Sequence, residues 1–405
     1  MSPYFEPTHE ELRRQVREFA EREIAPVARE HDRDSRFPWE NVAKMARMGL
    51  FGVNVPEEFG GMGRDYISYM IVIEELARVD ASHAITISAH STLGSSPILN
   101  FGTEEQKRRF MPLLAAGTVL AGFGLTEPGA GSDAGATRTT AVRENGAYRI
   151  SGGKIFITHA GVGEVFVVTA VTDRSAGTRG ITSFIVTKET ADREAAERVG
   201  VGHAPSLEPF TPGVRSGKKE DKMGWRASDT RELILEDAHV PAESRLGEEG
   251  EGFSNFMRTL DAGRIGIGAL SLGLARGALD HAVAYAGTHD RDDTPLRDAQ
   301  GVQFTLADMA TDIEATRLLV YHAAWLKQNG RPFAREAAMA KLFASETAMR
   351  TTLRAIQVLG AHGFSADYPV ERMMRDAKIG EIGEGTSEVQ RIVIARNLFR
   401  EAGAA

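Results

Sequence analysis

The 405-residue chain has no cysteine, which excludes disulfides, thiolate metal ligands, cysteine nucleophiles and thiol redox chemistry. Any redox work has to be carried by a bound cofactor. An excess of positive charge is missing as well. The 48 Lys and Arg stand against 56 Asp and Glu, a formal net charge of −8, so the chain lacks the basic footprint of a phosphate-backbone binder. No apolar run is long enough to span a bilayer, and the opening MSPYFEPTHEELRRQ has no signal-peptide core. The expectation is a cytoplasmic protein with no nucleic-acid and no membrane partner. Walker A and H-E-x-x-H patterns are absent, and Gly129-Ala130-Gly131 runs into Ser132, Asp133 and Ala134, which is not a dinucleotide-binding turn. His83 and His90 lie seven apart without a carboxylate cluster nearby, so no metal site is expected.

What is present is the composition of a folded enzyme, with 42% hydrophobic and 26% charged residues. The length is too great for one core and implies two or three domains. Residues 1–118 read as mainly helical. Thr8 and Glu11 form a capping-box pair ahead of Leu12, Val16, Phe19 and Ala20, and Pro26 is expected to kink or end that helix. A second capping box at Thr103 and Gln106 opens another, and Ile67–Val79 and His83–Leu99 also suit helices. Residues 119–244 read as a β domain, with β-branched and aromatic runs at Tyr148–Thr158, Val165–Thr172 and Ile181–Thr187 and a hairpin signal at Asn145-Gly146. Within it, 189–212 lacks a strand pattern and reads as a surface excursion carrying a helical turn. Residues 245–405 return to long helical windows, Phe253–His289, Gln303–Asn329, Pro332–Leu359 and Glu388–Arg400. Their Ala and Gly content suits an antiparallel bundle.

Two segments fit chemistry. Leu125-Thr126-Glu127-Pro128-Gly129-Ala130-Gly131-Ser132-Asp133 places glycines and small hydroxyls after a strand, where backbone N–H groups can approach a phosphate or a carbonyl; an ordinary polar turn reads the same way. Ile382-Gly383-Glu384-Gly385-Thr386-Ser387-Glu388 precedes an amphipathic helix. Glu384 there is either a carboxylate that complements a helix dipole or a base beside carbonyl-polarising donors. Taken together, the two segments suit proton abstraction alpha to a carbonyl.

Beyond spacing, the chain resembles the acyl-CoA dehydrogenase family. The likeness is carried by VPEEFGG from Val55, TEPGAGSD from Thr126, Phe156-Ile157-Thr158, DKMGWRASDT from Asp221, LDAGRIGIGAL from Leu260, YPVERMMRDAKI from Tyr368 and GEGTSEVQRIVIAR from Gly383. The resemblance implies a mixed fold, mainly α: an N-terminal helical domain, a central β-barrel-like domain and a C-terminal four-helix bundle. It implies FAD as cofactor, an acyl-CoA or acyl carrier protein thioester as substrate, electron-transfer flavoprotein as electron acceptor, and a homotetramer or homodimer. Glu384 matches the general base. In other members the base stands at the position of Gly263, where glycine cannot serve. By the same resemblance, Phe123, Leu125, Thr126, Ser132, Phe156, Thr158, Gln300, Gln357, Gly360, Thr386 and Glu388 match cofactor contacts. Ser132, Asp261, Arg264, Gly385 and Arg396 match substrate contacts. Plainer readings exist for Arg264, as an i, i+3 pair with Asp261, and for Gln357, as a helix-face amide.

The chain also departs from the family pattern. Phe156 replaces a common tryptophan and stays aromatic. Gly383 replaces a common tyrosine before the base, which predicts a roomier cavity and a bulkier, branched or polar acyl group. His289-Asp290-Arg291-Asp292-Asp293 replaces an Arg-x-x-Phe-Gly segment that contacts the FAD pyrophosphate, which predicts weaker FAD binding unless Arg291 substitutes by a small shift. An oxidase on the same scaffold and a flavin-poor binding relative are the alternatives.

Overall fold

The protein is described by a computed structural model over residues 4–291 and 294–403. Its first part is helical: α1 (Pro7–Phe19), α2 (Ala25–Asp34), α3 (Trp39–Arg47), α4 (Tyr66–Ala77), α5 (Ala81–Ser88), α6 (Ser96–Phe101) and α7 (Glu104–Ala115). The cap of α1 differs from expectation. The helix begins at Pro7 with Glu6 as N-cap, whose N–H donates to His9 Nδ1 at 3.0 Å. Proline has no N–H to lose at the first helical position, so the start falls ahead of Thr8. Before Pro26 the chain takes one π-helical turn, Ala20–Ile24, and resumes as α2 with Pro26 in its first turn. The proline therefore does not end the path, and the π turn ahead of it is the irregularity that accommodates its missing N–H. Thr103 and Gln106 form the expected capping box of α7.

The middle of the chain forms β1 (Ala121–Gly124), β2 (Thr140–Glu144), β3 (Ala147–Thr158), β4 (Val165–Val171), β5 (Ile181–Thr187), helix α8 (Arg193–Val199), β6 (Val214–Lys219), β7 (Thr230–Pro241) and β8 (Arg245–Leu246). The sheet order is β6-β7-β3-β2-β4-β5-β8, with β1 parallel to β4. Asn145 and Gly146 take φ of 51° and 81° in the β2–β3 hairpin, the left-handed pair that a two-residue turn between twisted strands requires. The 189–212 segment is more than a surface excursion. Ala196, Ala204 and Leu207 are buried, a Cβ on Gly202 would strike the Trp39 ring, Arg198 reaches Glu40, and His203 Nδ1 lies 2.6 Å from Glu164. Ala196 packs in the cluster that holds Trp39 of α3, and Ala204 and Leu207 pack in the one that holds Phe110 and Leu114 of α7, which pins the segment to the helical part.

The last part holds α9 (Gly252–Thr288), a short ladder of β9 (Asp290–Arg291) with β10 (Thr294–Pro295), then α10 (Gln300–Gln328), α11 (Ala334–Leu359), α12 (Val370–Lys378) and α13 (Ser387–Glu401). Helix α11 packs on α9, α10 and α13. The ion pairs Arg350–Asp312 and Arg354–Asp308 run α10 and α11 antiparallel. Helix α9 also presses on α4, so closely that a Cβ on Gly273 would overlap the Glu74 carbonyl and one on Gly277 the Arg78 carbonyl. All twelve residues of α4 are buried, Glu74 and Glu75 included. Among the described residues no helix is long and apolar enough to cross a membrane.

Candidate active site

Glu384 lies in the turn that feeds α13. It takes φ 52° and Gly385 takes φ 91°. A non-glycine residue in the left-handed region is uncommon and points to a surrounding structure that enforces it. Thr386 then caps α13 through the Val389 N–H at 3.3 Å. The turn aims the carboxylate at α9, where a Cβ built on Gly263 would overlap Glu384 Oε2 and touch Leu93. Gly263 therefore vacates the space that the carboxylate occupies, and any larger residue there would expel it. Oε2 is closed to solvent and has no hydrogen-bond partner. Burial pushes the Glu384 pKa up to about 7, with Lys341 and then Arg264 pulling it down. A base whose affinity for a proton sits near neutral pH is tuned for proton transfer there. Among the described residues, the Glu384 backbone N–H takes no protein acceptor.

Buried polar groups surround this carboxylate. Arg264 is 6% exposed and pairs with Asp261, both on α9. The i, i+3 pair is real, with Arg264 buried and Asp261 half-buried. Tyr66 donates its hydroxyl to the Ala262 carbonyl at 3.0 Å; burial, then Tyr69 and Glu384, push its pKa up. Lys341 reaches the turn from α11, and Gln390 Nε2 donates to the Gly385 carbonyl at 2.8 Å from α13.

A second group forms on the rim of the sheet. The Ile155 N–H donates to the Thr126 carbonyl at 2.9 Å, which lays Leu125 and Thr126 beside β3. Phe156, at φ 57°, is 62% exposed, and Thr158 is half-buried two residues on. Phe123 stacks on Phe256 of α9, ring centroids 3.9 Å apart. Leu93 packs against the same apolar cluster and also faces Gly263, so this rim and Glu384 share a wall. The loop after β1 is anchored by Glu127. Its carboxylate accepts from Thr137, from the Arg138 N–H at 2.7 Å, from the Thr139 N–H and hydroxyl, and from Lys154 Nζ at 2.7 Å. Burial alone would raise its pKa; Lys154 and the hydroxyl donors outweigh that and hold it at about 2. Glu127 thus fixes the loop that leaves Ser132 exposed.

Other expected residues lie elsewhere. Gln300, Gln357 and Gly360 are exposed at the end of the bundle where α10 begins and α11 ends. Gln357 is sixteen residues from Lys341 along α11, roughly 24 Å of helix, so one chain does not bring these three to Glu384. Glu388 and Arg396 are exposed on α13. His289 stacks on Tyr285 with centroids 3.7 Å apart, beside His362 and Tyr368. Asp292 and Asp293 lie outside the described residues. His83 bonds Asp80 and Asn41, and His90 bonds the Leu114 carbonyl and the Ala121 N–H.

Models of the N-terminal, middle and C-terminal domains of acyl-CoA dehydrogenase match residues 6–118, 122–238 and 250–399. The chain belongs to the acyl-CoA dehydrogenase family. It is 47% identical over 389 residues to the short-chain specific acyl-CoA dehydrogenase of Clostridium acetobutylicum, spanning 96% of this chain and 97% of that one. The butyryl-CoA dehydrogenase structure from Megasphaera elsdenii superposes with a TM-score of 0.92 at 43% identity, covering 99% of this chain and 100% of that one. A chain in a structure of the electron transferring flavoprotein of Acidaminococcus fermentans gives 0.92 at 46%, with the same coverage. Acyl-CoA dehydrogenases are FAD-dependent flavoprotein oxidoreductases.

For this acyl-CoA dehydrogenase family member, sequence reasoning missed Glu127 and Lys154 as the loop's anchor, and Lys341, Gln390 and Tyr66 around Glu384. A signal existed for Lys341. It falls on the stripe of Ala337, Ala344 and Ala348, spaced as one helix face, where a lysine is out of place unless it has a buried partner.

Proposed function

We propose that the chain catalyses FAD-dependent α,β-dehydrogenation of an acyl-CoA thioester, with Glu384 as general base and electrons passed on to electron-transfer flavoprotein. The observation that carries this reading is the Glu384 carboxylate, with Oε2 closed to solvent and unpartnered, over the gap left by Gly263, and with its pKa raised to about 7.

The residues at the rim suit the cofactor. Phe156 offers an exposed ring face, and Thr126, Ser132 and Thr158 offer polar groups that are not fully buried, a pairing that fits a planar, hydrogen-bonding ring system. When bound, FAD supplies the acceptor for the β hydride. The chain's own part is to orient the thioester, exclude water and move the proton. Glu384 takes the α proton as a carboxylate. Its backbone N–H donates to the thioester carbonyl, where charge develops as that proton leaves. Leu93, Phe123 and Phe256 supply apolar wall, which keeps the carboxylate dry enough to be a strong base. Asp261, Arg264 and Gly385 contact substrate, and Arg396 reaches toward the CoA moiety.

Gln300, Gln357, Gly360, Thr386 and Glu388 complete the cofactor site between subunits of a homotetramer or homodimer. Exposed Phe304 and Phe364, close in sequence to Gln300 and Gly360, are surfaces such an interface would cover. Domain limits at residues 118 and 244 follow from the same reading. Gly383 leaves room beside the base: the atoms nearest to a Cβ there are those of Ile379, the first at 3.5 Å, and this favours a bulkier acyl group.

The test is a visible spectrum of protein supplemented with FAD and desalted, before and after anaerobic addition of an acyl-CoA panel. One acyl class is expected to bleach the flavin band. Bound flavin that no CoA thioester bleaches overturns the reading in favour of a carrier-protein substrate. Because His289 is committed to the Tyr285 stack, FAD is expected to dissociate on dialysis; stoichiometric retention contradicts that part.

A further inference from the structure

Lys341 is fully buried on α11, a position that is costly for an ammonium unless its charge is compensated. Its Nζ donates to the Gly385 carbonyl at 2.6 Å. Gln390 donates to the same carbonyl and, at 3.4 Å, to that of Glu384. The left-handed turn bearing Glu384 is therefore held by two side chains from two helices. Lysine does more than glutamine there, because it adds a positive charge beside a carboxylate that has no hydrogen-bond donor of its own.

We propose that Lys341 is a positioning residue for Glu384: through the Gly385 carbonyl it fixes the turn that aims the carboxylate over Gly263, and its charge keeps that carboxylate ionised. The proposal rests on Glu384 being the base, and it names the group that makes a dry base available at neutral pH. The charged and titratable groups facing this point are few. Arg264, paired with Asp261, faces it from α9, Tyr66 and Tyr69 from α4, and Glu381 and Glu388 from the chain on either side of the turn. Lys341 is the largest favourable charge acting on Glu384, ahead of Arg264. Burial lowers the Lys341 pKa to about 8, opposed first by Glu384, so the ammonium persists at pH 7.

The experiment follows the infrared C=O band of the Glu384 carboxylic acid as pH is raised, identified by its loss in Glu384→Gln, alongside the pH profile of anaerobic flavin reduction. Removing a nearby cation raises a carboxyl's proton affinity, so Lys341→Met is expected to shift both midpoints upward by about ten-fold in proton concentration. At pH 7 the ionised fraction falls from about half to about a tenth, and reduction slows about five-fold, recovering at higher pH. Lys341→Arg keeps the charge and is expected to keep the midpoint while lowering the rate through altered reach. A folded Lys341→Met whose midpoint is unchanged overturns the proposal. If neutral variants fail to fold, the unsubstituted chain decides: ionisation near pH 7 supports the field, and a carboxyl still protonated at pH 9 overturns it. The infrared midpoint needs no turnover. A midpoint that shifts while no acyl-CoA bleaches flavin sinks the functional reading alone, and bleaching with an unmoved midpoint sinks this one alone.

Discussion

Glu74 and Glu384 are both carboxylates removed from water, and they meet opposite fates. Glu74 lies in the middle of α4 and is surrounded by Arg13, Arg276, Arg317 and the Tyr321 hydroxyl, with Glu75 beside it bonded to Arg13, Arg17 and Arg276. Burial would raise the pKa of Glu74; the three guanidinium groups and the hydroxyl outweigh burial and hold it well below the usual range. Glu384 meets the same desolvation with two cations at a distance and no donor at Oε2, and its pKa rises to about 7. A fully bonded buried carboxylate belongs to the fold, because it gains nothing by taking a proton. An orphaned one is a base in waiting, since the cost of its charge is relieved when a proton arrives.

That contrast can be broken in order of expected effect. Glu384→Gln keeps shape but removes the proton acceptor. FAD should still bind, while stopped-flow reduction by substrate falls about a thousand-fold or more; substantial residual bleaching would exclude Glu384 as the base. Glu74→Gln leaves three guanidinium groups short of charge in the core. It is expected to cost about 3–5 kcal/mol in denaturant unfolding, with turnover per folded molecule little changed. Glu127→Gln removes one partner of the Lys154 pair, and roughly 2–4 kcal/mol should be lost, while FAD affinity measured by titration weakens relative to the unsubstituted chain, because the loop before Ser132 loosens. Stability that is lost without any change in FAD affinity would assign Glu127 to the fold alone.

The pH dependence of stability is the most diagnostic. The depressed pKa of Glu74 gives stability that is present above pH 4.5, its ordinary value, and lost as pH falls through its lower folded value. Glu384 has the opposite sign. Its raised pKa makes the native state bind the extra proton, so that contribution is present below pH 4.5 and lost as pH rises toward 7. Thermal unfolding of Glu384→Gln against the unsubstituted chain should therefore show a gap that opens in favour of the variant from pH 4.5 upward, by about 3 kcal/mol, and levels once pH has passed 7. A gap constant with pH would mean that Glu384 is not the group that titrates. Gly383→Tyr carries no charge and should leave unfolding nearly unchanged while narrowing the acyl panel toward short straight chains.

Much of the fold was legible because its signals are local. The Thr103–Gln106 box, the Asn145-Gly146 turn and the period of the long C-terminal helices act within a few residues of themselves, so the chain declares them without help. The cap of α1 was misplaced for an equally local reason: Pro7 favours the first helical position more strongly than the Thr8 hydroxyl favours the cap. The 189–212 segment was read as surface because its partners, Trp39 and Glu164, lie far away in sequence.

By itself, the sequence determined the order of helical, β and helical parts, the family motifs and Glu384 as the candidate base. Only the tertiary structure decided what surrounds that carboxylate: the vacancy at Gly263, the unpartnered Oε2, and Lys341 reaching the Gly385 carbonyl from 44 residues away. Desolvation and the field of distant charges depend on which atoms surround a group in space, and no pattern along the chain encodes that until the chain has folded.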